Sequence, residues 1–288
     1  MLLGTVSLWA LNFTVSKYIL DEGFRPLAYS AVRYGCAAVI FVAITLAWER
    51  SLRVSRSQLP LMVVCTLLLF ANQLCFVYAL KFTTATTVAL LFGTLPIFTA
   101  LFARGSGVEQ LSFRFWLAAL LSFAGVELVA IGSGGSLSAN LKGDGLAVGG
   151  AMTWAGYSVA IAPLMRRYSP FRLSALFLAV VTIPLALAGS RQLADQSFHF
   201  GALVWLGFAF AVLGPLVTTN FLWFTAIDRV GPSRASLFAN LQPFLAAIVA
   251  LLLLSETITT LEVVGGLGIL AGIVLASRGA PAPEPPGD

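Results

Sequence analysis

Ten long apolar runs dominate this chain and leave it very few ways to fold. They lie at roughly 2–20, 26–48, 58–80, 84–103, 112–132, 144–165, 170–189, 200–226, 232–254 and 259–277. A run of about 18 or more apolar residues is long enough to cross a bilayer as a helix. The runs are unbroken and rich in Leu and Ala. They lack the strict alternation that a membrane β-barrel strand requires. The expected fold class is therefore all-α: a polytopic membrane protein of ten transmembrane helices. Composition agrees, with 59% hydrophobic and only 10% charged residues among 288. A soluble domain carries about 25% charged residues.

The net charge of +5 does not point to nucleic acid, because the basic residues are scattered rather than clustered. It is better explained by cytoplasmic loops. With the N-terminus inside, eleven Lys and Arg fall on inner loops and five at the outer face, with Arg33 inside the second helix. The positive-inside rule then places both termini in the cytoplasm. No removable signal peptide is expected. The first run has no basic leading region and carries Trp9 and Asn12. Met1 falls at the membrane edge, so a short segment preceding it is expected. Cys36, Cys65 and Cys75 sit inside apolar runs and read as packing residues rather than a disulfide or metal framework.

The chain repeats itself. Pro243, Glu256 and Ala271-Gly272-Ile273 fall on Pro96, Glu109 and Ala124-Gly125-Val126 at a constant offset of 147 positions. The likeness extends further. Trp9-Ala10 matches Trp154-Ala155, Pro26 to Ala31 matches Pro170 to Ala175, and Gln73 and Phe76 match Asn220 and Trp223. Residues 1–134 and 143–278 thus form two five-helix copies, and 279–288 is a Pro-rich tail expected to be disordered. Five helices is an odd number, so the second copy enters the membrane from the opposite side. Inverted repeats of this kind suit a carrier whose two halves exchange conformations around a midplane site.

Two five-helix copies, each ending in a Pro-bearing helix, a Glu and an Ala-Gly helix, resemble the drug/metabolite transporter superfamily with tandem EamA repeats. Within it the chain is most similar to bacterial aromatic amino-acid exporters of the YddG type. That resemblance implies export of amino acids and related metabolites across the bacterial inner membrane. A small-molecule substrate and the lipid bilayer are the expected partners; no cofactor is expected, and a monomer is one reading of the oligomeric state. Sister families leave alternatives open: an exporter of drugs or purines, or a nucleotide-sugar carrier.

Polar and aromatic side chains at membrane depth need a partner, water or a substrate. The expected substrate-binding set is Trp9, Asn12, Tyr78, Trp154, Tyr157, Asn220, Trp223 and Gln242. Rings would hold an apolar side chain, while amides and hydroxyls would hold an ammonium and a carboxylate. Any one of them can instead mark an interface or join two helices. Pro96 and Pro243 lie mid-span, where a proline breaks one backbone hydrogen bond and makes a hinge or a static kink. Glu127 is the carboxylate placed as a possible proton site; pairing with a base or a snorkelled outer position is the other reading, which leaves uniport open. Glu109 and Glu256 read as caps or loop anchors. Gly145-x-x-x-Gly149 and Gly268-x-x-x-Gly272 read as close-packing motifs. An enzyme is disfavoured: the single histidine, His199, has no partner for a metal pair, and no G-x-S-x-G occurs.

Overall fold

A computed structural model describes residues 1–133, 140–254 and 258–277. The junction Ser255-Glu256-Thr257 and the tail 279–288 lie outside the described residues. Every regular element among those residues is helical. Among the described residues, eight continuous helical stretches are long and apolar enough to cross a membrane.

The first helices are uninterrupted: α1 (Leu2–Asp21), α2 (Pro26–Trp48) and α3 (Leu59–Phe82). At 20 residues α1 has the length of a span, but Trp9, Asn12, Ser16 and Lys17 dilute its apolar run. The fourth run is not one helix. It is α4 (Ala85–Leu91), a 3-10 turn Phe92–Thr94, and α5 (Leu95–Gly105). Then follow α6 (Phe113–Gly132), α7 (Leu141–Met165), α8 (Pro170–Ala188) and a short α9 (Ser190–Ala194). The eighth run breaks into α10 (Ala202–Val212), a π-turn Leu213–Thr218, and α11 (Thr219–Val230). The ninth breaks into α12 (Pro232–Leu237), a 3-10 turn Phe238–Leu241, and α13 (Gln242–Leu254). The last helix is α14 (Thr260–Ser277).

Local chemistry explains the starts and breaks. Pro opens α2, α8 and α12, where its missing N–H costs no intrahelical bond. Pro96 and Pro243 each stand second in the helix that resumes after a 3-10 turn. Thr259 and Glu262 start α14 with a reciprocal cap. Glu262 Oε2 accepts from the Thr259 backbone N–H at 2.7 Å, and Thr259 Oγ1 accepts from the Glu262 N–H at 3.3 Å.

Packing follows pairs. α2 lies on α8, α6 on α14, and α3 on α7; α1 lies against α10, α11 and α13, and α5 against α7 and α12. Between α6 and α14 the backbones nearly touch. A Cβ on Gly125 would come 2.6 Å from the Gly265 carbonyl oxygen, and one on Gly272 would come 2.7 Å from that of Ala118. The small residues expected to serve packing are therefore partly different ones. A Cβ on Gly145 would meet nothing within 4 Å, and one on Gly268 would make an ordinary 3.6 Å contact. Gly145 faces away from the neighbouring helices, whereas Gly143 and Gly150 on α7 meet Thr83 and Phe92. Ion pairs hold α2 at both ends: Arg172 of α8 to Glu49 at 2.8 Å, and Arg25 to Asp195 after α9 at 2.8 Å.

Candidate functional site

The breaks and the polar stripes meet at one place. A cavity opens where α1, α2, α3, the turn before α5, α7, the π-turn, α11 and Gln242 converge. Its volume, counted as space open to the centres of waters, is ≈ 80 Å³. A water needs about 10–15 Å³ on that measure, so the space holds several.

One wall is aromatic. Trp9 and Trp154 meet edge to face with ring centres 5.6 Å apart, and Trp223 lies behind Trp9 at 4.8 Å. Phe13 meets Phe92 at 5.5 Å and Phe76 at 5.9 Å. Two of the three indoles are held by hydrogen bonds. Trp9 Nε1 donates to Thr219 Oγ1 at 3.0 Å, and Trp223 Nε1 donates to Ser158 Oγ at 3.2 Å. Such pinned rings can face an apolar group without first being ordered.

The other wall is polar and carries the one charged residue of the described lining, Arg33. Its side chain is 4% exposed. Nη1 donates to Tyr29 Oη at 3.2 Å and to Asn12 Oδ1 at 3.4 Å, and Nη2 donates to Gln73 Oε1 at 3.4 Å. The guanidinium also lies 5.2 Å from the centre of the Tyr29 ring and 5.9 Å from that of Phe76. No carboxylate among the described residues pairs with it. Ser16 Oγ donates to Asn12 Oδ1 at 3.1 Å and keeps that amide in place. Asn72 Nδ2 donates to the Gly150 carbonyl at 2.9 Å, tying α3 to α7 beside the cavity.

Of the residues expected at the site, Trp9, Asn12, Trp154, Asn220 and Gln242 line this cavity. Trp223 and Tyr157 stand one layer behind it, both buried; Tyr157 touches Trp154 with ring centres 5.4 Å apart. Tyr78 lies elsewhere. Its hydroxyl accepts from Gln192 Nε2 at 3.1 Å, and its ring stacks on Phe82 near the end of α3. Pro96 and Pro243 sit at the helix breaks rather than on the wall. Glu127 is exposed on α6 and does not reach the cavity. Arg33 is the residue that sequence reasoning keeps out of the site. Its depth is legible; the hydrogen-bonded ring of Asn12, Tyr29 and Gln73 around it is not. Pro215, which has no mate in the other copy, lines the wall from the π-turn.

The same sequence pattern occurs in known proteins. The model of the EamA-like transporter family matches the sequence twice, over residues 1–131 and 141–278. The chain belongs to the EamA-like transporter family. The uncharacterized transporter YyaM of Bacillus subtilis (strain 168) is 26% identical over 285 residues, spanning 96% of this chain and 92% of its own. An uncharacterized transporter of Archaeoglobus fulgidus is 29% identical over 287 residues, spanning 95% of this chain and 94% of its own. The uncharacterized inner membrane transporter YedA of Escherichia coli (strain K12) is 26% identical over 277 residues, spanning 94% and 88%. One solved crystal structure shares the fold, with a TM-score of 0.75 at 20% identity over 96% of this chain and 98% of its own. These EamA-like relatives are named as transporters, and this chain is a multi-pass membrane protein of the same kind.

Proposed function

We propose that this EamA-like protein is a secondary transporter that exports amino acids and related metabolites by alternating access. Aromatic and other large apolar amino acids are its favoured substrates, in keeping with its likeness to exporters of the YddG type. The observation that carries this reading is the cavity itself. Two indoles on one wall, Trp9 pinned by Thr219 and Trp154 packed against it, face a hydrogen-bonding, cationic wall on the other, which suits a molecule with an apolar body and a polar head.

Ten membrane helices in two inverted halves, 1–134 and 143–278, form the proposed frame. The helix pairing supports it. α2 with α8 and α6 with α14 are pairs of counterparts, while α3 on α7 has its mate in α1 on α10 and α11. A two-fold axis between the halves would generate this pattern. We place the protein in a bacterial inner membrane, as a monomer with both termini cytoplasmic. Uniport fits the site better than proton coupling, because the carboxylate proposed for a proton, Glu127, stands off the cavity.

A second reading, a nucleotide-sugar carrier, draws on Arg33. One guanidinium is a weak match for a diphosphate. An exporter of drugs or purines would use the aromatic wall and leave Arg33 without a role. Counterflow of labelled phenylalanine into proteoliposomes preloaded with phenylalanine is the test. Saturable trans-stimulated uptake is expected. Uptake of only a cationic dye or a purine would sink the amino-acid reading, and uptake without trans-stimulation would indicate a channel.

A further inference from the structure

Arg33 raises a question that packing alone does not answer. It is the eighth residue of α2. At 1.5 Å per residue it lies about 10 Å along the helix from Pro26, well inside a hydrocarbon layer about 30 Å thick. An ionised side chain at that depth is costly unless an opposite charge or several good hydrogen bonds offset it. Here the compensation comes only from neutral groups: the ring faces of Tyr29, Tyr34 and Phe76, and hydrogen bonds that leave one donor over. The three hydrogen bonds are long, 3.2–3.4 Å, and all go to neutral oxygens. Nε has no partner among the described residues. Asn12, Tyr29 and Gln73 orient the guanidinium toward the cavity without neutralising it. A group held this way is prepared for an anion that arrives from outside the chain.

A second unpartnered group lines the same cavity. Gln242 is 3% exposed, and its Oε1 accepts no hydrogen bond from the described residues. It opens α13 directly after the 3-10 turn, so the helix break presents it. A cation-bearing donor such as an ammonium would satisfy it.

We infer that Arg33 is the anion receptor of this cavity and binds the carboxylate of the transported molecule, while Gln242 Oε1 accepts from its ammonium. The ligand class is a compact α-amino monocarboxylate with an apolar body. The inference rests on the transport reading above for the word "transported", but the binding step stands by itself. With Arg33 the only charge on the described lining, a single negative charge completes the site and a second one would lack a partner.

Binding and counterflow on the full-length protein separate the two claims. Tritiated phenylalanine is bound to purified protein by scintillation proximity, then displaced by 3-phenylpropionate, which lacks the ammonium, or by phenethylamine, which lacks the carboxylate. We expect 3-phenylpropionate to compete roughly tenfold or more better than phenethylamine, as a charge-assisted pair should. Arg33→Gln should remove that difference and weaken phenylalanine by a similar factor without weakening phenethylamine, whose own positive charge Arg33 repels; that retained affinity also reports a folded site. Arg33→Lys should fall between. Gln242→Leu should weaken phenylalanine and not 3-phenylpropionate. Equal competition by the two analogues, an equal loss of both in Arg33→Gln, or no binding of either carboxylate by the wild type would overturn the inference. Phenylalanine bound but never exchanged across proteoliposomes would sink the carrier and spare the receptor. Exchange of phenethylamine without any preference for carboxylates would do the reverse.

Discussion

Single side chains do different work at this site according to their layer. Trp9 and Trp154 face the cavity, whereas Trp223 is fully buried behind them. Trp154→Ala should therefore lower phenylalanine counterflow at unchanged expression, while Trp223→Ala should mainly destabilise. Removing so large a buried ring costs about 3–5 kcal/mol, which a melting curve in detergent would register. Tyr78→Phe, off the cavity lining, should leave counterflow at the wild-type rate; a clear loss would return that residue to the site. Glu109, in the loop before α6, gives a pH signature. Burial pushes its carboxyl above the ordinary value, while the hydrogen bond from the Ser233 backbone N–H and the charge of Arg234 pull it back. The folded state then holds this proton more tightly than the unfolded chain does. Stability from this group is present below the unfolded value and is lost as pH rises through the raised one. Glu109→Gln mimics the protonated form, so its melting temperature should gain on the wild type as pH climbs from about 4.5 toward neutrality. A difference that stays flat with pH would contradict this. The type and depth of Trp9, Asn12 and Arg33 are legible in the sequence. Which ring fronts the cavity is not, because a 3.6-residue period gives a face and not a layer.

At the level of elements, breaks matter as much as helices. Prolines at 96 and 243 follow the two 3-10 turns that interrupt the fourth and ninth runs, and their shared offset exposes the repeat. The π-turn at Leu213–Thr218 has no such marker in the first copy; Pro215 alone hints at it. The α6–α14 contact shows why motif spacing misleads. The small-xxx-small pattern flags Gly268 and Gly272; Gly272 does make a close approach, but Gly268 does not, and the pattern misses Gly125 and Gly265. A Cβ at Gly125 would collide with backbone that has no flexible end to yield. Gly125→Ala should therefore cost about 1–3 kcal/mol by overpacking. Gly268→Ala and Gly145→Ala should melt within error of the wild type. Equal losses at all three positions would show that α6 and α14 do not meet as described. The threonine–glutamate cap of α14 is readable in the sequence as T-x-x-E, a spacing that the repeat's own carboxylate, Glu256, does not share.

For the molecule as a whole, the two-fold pattern of helix pairs makes a topological prediction. Ser57 precedes α3 and Ser197 precedes α10, and the proposed orientation puts them on opposite faces. In right-side-out vesicles, a cysteine replacing Ser197 should react with an impermeant maleimide, and one replacing Ser57 should react only after permeabilisation. Labelling of both from outside would refute the inverted arrangement. Sequence by itself determined the solvent, the helical class and the duplication. Each of these follows from one-dimensional quantities: the length of apolar runs, their period and their self-similarity. Only the tertiary structure decided which polar groups meet. Asn12, Arg33 and Gln73 come from three different helices and converge within hydrogen-bonding reach, while Glu127, at similar depth, faces outward. Helix rotation and neighbour choice set that outcome. In an apolar medium they are fixed by close backbone contacts such as Gly125 against Gly265, which no run of hydropathy encodes.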